Sequence, residues 1–231
     1  WVLLASLANG ISKAKNILVS EDVIAAIKAV RKLGIKVILK KNFCKIYGKG
    51  LEGYDYKKDI TINAQNSGTL ARLLTGFLVN TPYPIKIIGD KSLSKRDFKR
   101  ISDPLNKFGA NIKLKNNKNL PLIINGSSKL KPIKYYEKKG SAQCKSAVIF
   151  GGLRTAGTTV IKAKKSRNHT ELMCKYLKLP VTTKKNKSYD EIKIKKAKKI
   201  NLINYNIPSD ISSAAFFIVL TSLMKKSKLI I

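Results

Sequence analysis

The chain has 231 residues, 44% of them hydrophobic and 26% charged, with a formal net charge of +34. This length provides for one large domain or two small ones with a sizeable buried core. No apolar run approaches the length of a membrane span, which excludes a transmembrane helix. The opening WVLLASLANG lacks the basic region and cleavage site of a signal peptide. We expect a soluble protein of the cytoplasm, or of a plastid if the source is eukaryotic.

The positive charge is spread along the chain rather than gathered in one segment. A charge of this size is typical of proteins that bind nucleic acid or anionic membranes. Lysine greatly outnumbers arginine, however, and Asn and Ile are also abundant, a composition that A/T-rich codons explain. The pattern favours solvated lysines on turns and strand faces, with a smaller share of the charge serving anionic substrates. Lysine pairs in such places are Lys40-Lys41, Lys57-Lys58, Lys138-Lys139 and Lys184-Lys185.

The cysteines and the chain ends allow two further expectations. Cys44, Cys144 and Cys174 are far apart and show neither zinc-ligand nor CxxC spacing. We therefore expect free, largely buried thiols in a reducing compartment. The chain begins at Trp1 rather than Met and ends at Ile231 within an apolar run. We interpret it as a segment of a longer protein.

The segment from Ile60 to Gly126 predicts six elements in the order strand, helix, strand, helix, strand, strand. The alternating run ITINA predicts the first strand. Apolar residues at helical spacing predict a helix over Asn66–Val79, followed by the strand PIKIIGD. A second helix is predicted over Asp97–Phe108, with Pro104 as a kink or early turn. The closing strands are predicted over Asn111–Leu114 and Leu120–Ile124.

The same order recurs from Ile133 to about Ile200. Its helices are predicted over Ala142–Leu153 and near Asn168–Leu179, with the strand TTVIKA between them. Asn168 with Glu171 fits a capping box at the start of the second helix. The apolar face of that helix is predicted to consist of Leu172, Met173, Tyr176 and Leu177.

The two ends of the chain fit the same frame. The opening piece, Trp1–Gly48, carries the repeat without its first strand, and Ser20 caps its second helix. The segment Ile203–Ile231 starts a fourth copy. Three βαβαββ copies predict an α/β fold in a pseudo-threefold domain, with apolar helices inside and sheets outside. Simple alternation of helices and strands is common in α/β proteins, but the repeated closing strand pair favours the repeat.

Three strand-to-helix turns carry small or polar residues at corresponding places in the repeat. Helix starts expose unpaired amide groups and a partial positive charge, which suit phosphate groups. Gly68 in the first turn lets a ligand approach the backbone closely. Ordinary helix capping explains each turn when it is taken alone. The turns are Asn66-Ser67-Gly68-Thr69, Gly140-Ser141-Ala142-Gln143 and Pro208-Ser209-Asp210.

Five strings are more specific than the turns: NSGTLARLL (Asn66–Leu74), GDKSLSKRDFKRISDPLNKFGA (Gly89–Ala110), GSAQCKSAVIFGGLRTAG (Gly140–Gly157), SRNHTE (Ser166–Glu171) and SDISSAAFF (Ser209–Phe217). In their order and spacing they resemble the 5-enolpyruvylshikimate-3-phosphate synthases. The resemblance covers essentially the whole chain. The third and fourth strings look like the branch that includes glyphosate-insensitive bacterial enzymes.

The resemblance implies a two-domain enzyme with its active site in the cleft between the domains. Such an enzyme transfers the enolpyruvyl group of phosphoenolpyruvate to the 5-hydroxyl of shikimate 3-phosphate, on the pathway to chorismate and the aromatic amino acids. Residues 1–202 would form a substrate-binding domain of three units, and residues 203–231 the start of the second domain. The complete enzyme is expected to be a monomer that needs no metal, cofactor, nucleic acid or membrane.

The resemblance also implies binding roles at matching positions. Arg96 would bind the phosphate of phosphoenolpyruvate, since a guanidinium fork suits that group. A surface arginine at position 96, and a helix cap with an exposed arginine at position 167, are the alternatives. The lone histidine, His169, is interpreted as structural. The phosphoenolpyruvate positions are Asn66, Gly68, Arg96 and Gln143, and the shikimate 3-phosphate positions are Ser141, Ala142, Gln143, Ser166 and Arg167.

The chain departs from the family pattern at three places and matches only part of it. Asp97 stands where the family usually has Pro, Asn168 where it has Asp, and Cys144 where it has an aliphatic residue. None of these changes removes a binding group. The family's acid–base groups match no position here, since Asp210 belongs to an earlier helix start. We therefore assign no catalytic residue and expect the chain alone to be inactive.

Two rival functions stay open. The UDP-N-acetylglucosamine enolpyruvyl transferases share the implied fold but carry a reactive cysteine in a loop before an Arg-Pro pair, and no cysteine is near Arg96 in the sequence. A nucleic-acid-binding module, such as the RNA-cyclase relatives of the fold, would show clustered Lys and Arg with exposed aromatic residues. The lysines here are dispersed. A scaffold role without chemistry is a third reading.

Overall fold

The computed structural model describes residues 1–230 and shows three four-stranded sheets packed around helices. Each sheet has the same arrangement, a parallel pair at one edge followed by two antiparallel pairings. The predicted α/β fold of repeated βαβαββ units is confirmed. Within residues 1–230, no helix is both long enough and apolar enough to cross a membrane.

The first unit opens with a helix and lacks a strand of its own before it. Its elements are α1 (Val2–Ser6), β1 (Asn9–Lys15), α2 (Glu21–Lys32), β2 (Lys36–Lys40) and β3 (Phe43–Lys49). The predicted cap of α2 is confirmed, because the Ser20 hydroxyl accepts a hydrogen bond from the Val23 amide at 3.4 Å. Acidic residues in the first turn and basic residues in the last complement the helix dipole.

The second and third units show the repeat in full. The second unit consists of β4 (Ile60–Asn63), α3 (Gly68–Phe77), β5 (Ile85–Ile88), α4 (Lys99–Lys107), β6 (Asn111–Lys115) and β7 (Asn119–Asn125), with a 3₁₀ turn over Leu93–Lys95. The third unit consists of β8 (Lys134–Glu137), α5 (Ala142–Leu153), β9 (Thr158–Lys164), α6 (His169–Tyr176), β10 (Val181–Lys185) and β11 (Tyr189–Lys195). The closing strand pair of the second unit lies where the sequence predicts it, and the third unit also ends in a strand pair, as the repeat predicts.

The last two elements, β12 (Asn204–Asn206) and α7 (Ile211–Leu223), have different surroundings. β12 pairs in parallel with β1 and so fills, in the first sheet, the edge place that β4 and β8 fill in the others. α7 has no buried residue although it is strongly apolar, and Phe216 is 84% exposed.

The core lies between the sheets and is centred on α5. Every residue of this helix from Cys144 to Leu153 is buried, whereas the strands alternate between buried and exposed positions. In β9, for example, Ile161 and Ala163 face inward while Lys162 and Lys164 are exposed. Helices inside and sheets outside follow from these two burial patterns.

One predicted helix face is wrong in two of its four positions. In α6, Leu172 and Tyr176 are 55% and 57% exposed, whereas Leu177 is buried and Met173 packs against the core as predicted. Glu171 and Cys174 are buried as well. Hydrophobicity alone misplaces part of this face because the Glu171 side chain, although acidic, is buried.

The parallel helices α3 and α5 are in close contact. The Phe77 and Phe150 rings stack with centroids 4.1 Å apart. A Cβ atom added at Gly76 would lie 2.3 Å from the Ala147 carbonyl oxygen, so only glycine permits this approach. The backbone contact fixes how the two helix starts sit beside each other.

Gly76→Ala is expected to destabilise the fold. The added methyl group meets a backbone carbonyl that cannot rotate away, and overpacking of this kind costs about 1–3 kcal/mol. The free energy of unfolding from urea titration measures the effect. Lys28→Ala, on the exposed face of α2, is the control and should leave it unchanged. Equal stability of Gly76→Ala and the parent chain would contradict the close contact.

Candidate functional site

The first predicted turn, before α3, is built from local side-chain hydrogen bonds. Ser67 caps α3 by accepting a hydrogen bond from the Leu70 amide at 3.1 Å, and its hydroxyl donates to Asp22. The Asn66 side chain donates to Asp90 Oδ2 at 2.6 Å. These bonds hold the turn in one shape beside the loop that follows β5.

Gly68, the first residue of α3, lies against two guanidinium groups. A Cβ atom at this position would be 3.1 Å from Arg72 Nη1 and 3.3 Å from Arg96 Nη1. The predicted residues Gly68 and Arg96 are therefore neighbours. Glycine leaves the space above the helix start open between the two arginines, whereas any larger side chain would fill it.

Asp97, at the position where the family usually has Pro, stabilises the start of α4. Its Oδ1 accepts a hydrogen bond from the Lys99 amide at 2.8 Å, which satisfies one of the free amides at the start of α4. Within residues 1–230, Asp97 forms no ion pair with Arg96. The departure from the family pattern thus leaves the exposed Arg96 side chain available for a ligand.

The second predicted turn, before α5, is anchored to α4 by a buried carboxylate. Ser141 caps α5 by accepting a hydrogen bond from the Cys144 amide at 3.3 Å. Glu137, 2% exposed, accepts from the Ser141 amide at 2.8 Å and pairs with Arg100 Nη2 at 2.8 Å. The carboxylate therefore links the turn to the helix that follows Arg96.

Gln143 joins the two turns. Its Oε1 accepts a hydrogen bond from Arg72 Nη1, and its Nε2 donates to Thr69 Oγ1 at 2.8 Å. Arg72 in turn lies over the Phe98 ring, with its guanidinium carbon 5.2 Å from the centroid. Two turns 75 residues apart in sequence, counted from Gly68 to Gln143, form one continuous polar surface.

The sequence did not predict three residues of this cluster. Arg72 lies one helical turn after Gly68, and Arg100 lies one turn after Arg96, so the i, i+4 spacing could have indicated both. Glu137 is the last residue of β8 and looked like one more charged residue before a turn. Its role depends on a contact with another unit, which the sequence pattern does not contain.

The cluster is rich in arginine. Burial lowers the pKa of Arg72, and the nearby charges of Arg96 and Arg100 lower it further. Glu137 forms an ion pair with Arg100. Helix starts and a partly buried group of arginines together form a site that suits an anion.

Ser166 and Arg167 lie in the loop between β9 and α6. The Ser166 Oγ is buried and has no hydrogen-bond partner within residues 1–230, while the Arg167 side chain is exposed. The predicted capping box is wrong, because Asn168 makes no side-chain cap bond. Glu171 instead contacts Lys145, with 2.7 Å between Oε1 and Nζ.

The third turn is a helix cap, as its position in the repeat predicted. Asp210 Oδ1 accepts a hydrogen bond from the Ser212 amide at 2.9 Å, and Oδ2 accepts one from the Ser213 hydroxyl at 2.9 Å. These bonds lower the pKa of Asp210, with the Ser213 hydroxyl contributing most. Both oxygens of the Asp210 carboxylate are therefore used in capping α7.

The sheets and their repeat define an enolpyruvyl transferase fold. The enolpyruvyl transferase NikO from Streptomyces tendae, 12% identical, matches with a TM-score of 0.68 over 95% of this chain and 51% of its own. The chain belongs to the EPSP synthase (3-phosphoshikimate 1-carboxyvinyltransferase) family, whose model matches residues 1–231. The family predicted from the five strings is confirmed.

Individual relatives agree with this assignment. The 3-phosphoshikimate 1-carboxyvinyltransferase of Sulfurihydrogenibium sp. is 40% identical over 98% of this chain and 52% of its own length. That of Streptococcus mutans is 39% identical over 99% and 53%. An Acinetobacter baumannii EPSP synthase structure matches with a TM-score of 0.87 and 34% identity, over 95% of this chain and 49% of that one. The chain spans about half the length of the curated relatives it matches.

The Asp90 carboxylate is expected to titrate below the range of an unstructured aspartate. Hydrogen bonds from the Leu93 amide, the larger cause, and from Asn66 lower the pKa of Asp90. Its stabilising effect is present above the unfolded pKa and is lost as the pH falls through the folded pKa. Carboxyl ¹³C NMR titration measures the midpoint. Asn66→Ala should raise it part of the way, and Asn42→Ala, at an exposed turn, should not. An ordinary midpoint in the parent chain would show that the turn is not held as described.

Proposed function

We propose that this chain forms the half of an EPSP synthase that holds part of both substrates, shikimate 3-phosphate and phosphoenolpyruvate. One observation carries the proposal: Gln143, on the turn proposed for shikimate 3-phosphate, contacts Thr69 of the turn proposed for phosphoenolpyruvate and Arg72 one helical turn further along α3. Two ligands bound at these turns would meet at Gln143. Membership of the family supplies the reaction.

The proposed reaction is an addition followed by an elimination. The 5-hydroxyl of shikimate 3-phosphate loses its proton as its oxygen bonds to C2 of phosphoenolpyruvate, and the C2–C3 double bond becomes a single bond as C3 gains a proton, giving a tetrahedral intermediate. This intermediate then loses a proton from C3 and phosphate from C2, which leaves the enolpyruvyl ether. Both substrates are anions, so their approach depends on positive charge and fixed orientation.

The roles proposed within this chain are binding and orientation. Arg96 and the amide groups around Gly68 would hold phosphoenolpyruvate, with Asn66 shaping the turn. Arg72 supports this site because it bonds to Gln143 and lies next to Gly68. We assign no proton transfer to this chain, and place those steps on groups of the whole enzyme that this chain does not contain.

Shikimate 3-phosphate would bind at the start of α5 and at the loop beside it. The proposed contacts come from backbone amides, hydroxyl groups and the permanently charged Arg167 guanidinium, all of which suit phosphate and hydroxyl groups. The Ser166 hydroxyl supports this assignment, since it is buried without a protein partner within residues 1–230. The residues are Ser141, Ala142, Gln143, Ser166 and Arg167.

The division of the chain into parts is also a proposal. Residues 1–202 would form the substrate-binding domain, and residues 203–231 would lead into the second domain. β12 completes the first sheet at this junction. The exposed apolar surface of α7 supports its packing against further chain, because isolated apolar helices rarely remain uncovered in water.

A reactive-cysteine transferase is the less supported rival. Burial raises the pKa of the Cys44 thiol to about 11 and that of Cys174 to about 12. Thiols with so high a pKa are poor nucleophiles at neutral pH. Cys144 is buried in the first turn of α5, and a buried helical position is not the flexible loop that such a transferase requires.

The 231-residue chain alone is expected to show no turnover. It matches only about half of its relatives, and removing a general acid–base pair typically costs about 10²–10⁴-fold per group. Phosphate release from a mixture of both substrates measures turnover. The same chain joined to the remaining segments of the Sulfurihydrogenibium relative is the positive control. Turnover by the chain alone would show that the acid–base groups lie within it.

In that completed enzyme, Arg96→Ala should impair use of phosphoenolpyruvate, and Arg167→Ala should impair use of shikimate 3-phosphate. Loss of a fork that binds phosphate costs about 2–4 kcal/mol, or about 30- to 1000-fold in kcat/KM. Arg96→Lys should recover only part of the loss, because an ammonium group cannot form two parallel hydrogen bonds. Steady-state kinetics with each substrate varied in turn measures both effects.

The control for this pair is Arg31→Ala, which removes an exposed arginine of α2 that bonds only the Val37 carbonyl within residues 1–230. It should leave both specificity constants unchanged. A kcat/KM for phosphoenolpyruvate within about threefold of the parent in Arg96→Ala would identify Arg96 as a surface residue. The same result for shikimate 3-phosphate would do so for Arg167.

A further inference from the structure

A buried ion pair lies directly behind the loop that carries Ser166 and Arg167. Lys145, in the second turn of α5, is 1% exposed, and Glu171 of α6 is 8% exposed. The Lys145 Nζ and Glu171 Oε1 atoms are 2.7 Å apart. Lys145 is thus a full positive charge inside a helix whose other buried positions are small or apolar.

Stability alone is a poor explanation for this pair. Taking two charges out of water costs several kcal/mol per ion, so apolar residues of similar size are often at least as stable. The pair is also incompletely satisfied: its contact is a close ion pair rather than an aligned hydrogen bond, and Glu171 Oε2 is buried with no hydrogen-bond partner within residues 1–230. Its place in the fold points to a second purpose.

The ammonium group has a further acceptor in the loop itself. Lys145 Nζ donates to the backbone carbonyl of Arg167 at 3.1 Å. Glu171 contacts the same ammonium group, so the pair ties α6 to the backbone at the residue whose side chain is proposed to bind phosphate. A lysine provides three donors on a flexible stem, which allows it to serve both acceptors.

Two more contacts hold this region against the start of α5, one from the first turn of α6 and one from the loop itself. The Ser146 and Thr170 hydroxyls are 2.6 Å apart. At Gly140, an added Cβ atom would lie 3.2 Å from the Lys165 carbonyl oxygen, so the loop passes close to the turn before α5. Both proposed parts of the shikimate 3-phosphate site are therefore tied to one helix end.

We infer that Lys145 and Glu171 are positioning residues that fix the loop of residues 165–168, and with it Ser166 and Arg167, relative to the turn at Ser141. The order of the loop is a property of the chain by itself. Its benefit for shikimate 3-phosphate binding rests on the proposed function. Neither residue touches the substrate; both act through the Arg167 backbone.

The test compares Lys145→Met with the double variant Lys145→Met, Glu171→Met in the 231-residue chain. The single variant leaves a buried carboxylate uncompensated and should lower the thermal midpoint strongly, while the double variant removes both charges and should regain the parent midpoint. Amide hydrogen exchange at residues 165–168 should nevertheless remain about tenfold faster in the double variant, because the Arg167 carbonyl has lost its anchor. Affinity for shikimate 3-phosphate, from calorimetry, should fall about tenfold with it.

Arg154→Met is the matched control. Arg154 lies just after α5 at its opposite end and bonds Asn80, Glu52 and the Leu51 carbonyl. Its loss should lower the thermal midpoint while exchange at residues 165–168 and affinity for shikimate 3-phosphate stay at the parent values. If exchange at residues 165–168 and affinity merely followed the stability of the fold, both would change in Arg154→Met as well.

The outcomes separate the inference from the proposed function. Parent-like exchange at residues 165–168 in the refolded double variant overturns the inference, since the pair then serves stability only. Faster exchange with unchanged affinity supports the positioning of the loop, and unchanged affinity in Arg167→Ala then removes the proposed binding role. If the double variant does not fold, Glu171→Gln decides: exchange at least about threefold faster supports the inference, and parent-like exchange overturns it.

Discussion

The contact between α3 and α5 is the constraint on which the site depends. Because Gly76 carries no side chain, the two helices approach until its Cα faces the Ala147 carbonyl. The stacked rings of Phe77 and Phe150 fill the space further along. The helices run in parallel, so this contact brings their starts together at the same end of the core. Gln143 can reach Arg72 only because the helix ends are held at this distance.

Placing two helix starts side by side creates an electrostatic problem as well as a site. Each start carries free amides and a partial positive charge, and three arginines lie beside them. The structure offsets part of this repulsion with nearby carboxylates: Glu137, at the end of β8, pairs with Arg100, and Asp90, in the loop after β5, lies close enough to Arg96 for their charges to attract. Within residues 1–230, Arg96 forms no ion pair with a carboxylate, so its guanidinium remains free to contact an anionic ligand at the proposed site.

The sequence predicted the repeat and the caps well because both are local. Ser20, Ser67 and Ser141 cap helices where hydrophobic spacing begins. It failed where the partner of a residue lies far away in the sequence. The inward-facing Glu171 looked like part of a cap because its partner, Lys145, lies 26 positions earlier. The place of β12 at the edge of the first sheet likewise depends on a pairing across 191 positions, from Lys13 to Asn204.

Lysine and arginine occupy different places in this chain. Lysine supplies most of the net charge and occupies exposed strand positions such as Lys162 and Lys164. Arginine is scarce, with six residues in the whole chain, and four of these stand at the proposed site. They are Arg72, Arg96, Arg100 and Arg167. A lysine serves on a solvated face, where only charge matters, but its ammonium cannot replace a planar fork that must meet an amide, a carboxylate or a phosphate in fixed geometry. The scarcity of arginine therefore marks the positions where orientation, rather than charge, is needed.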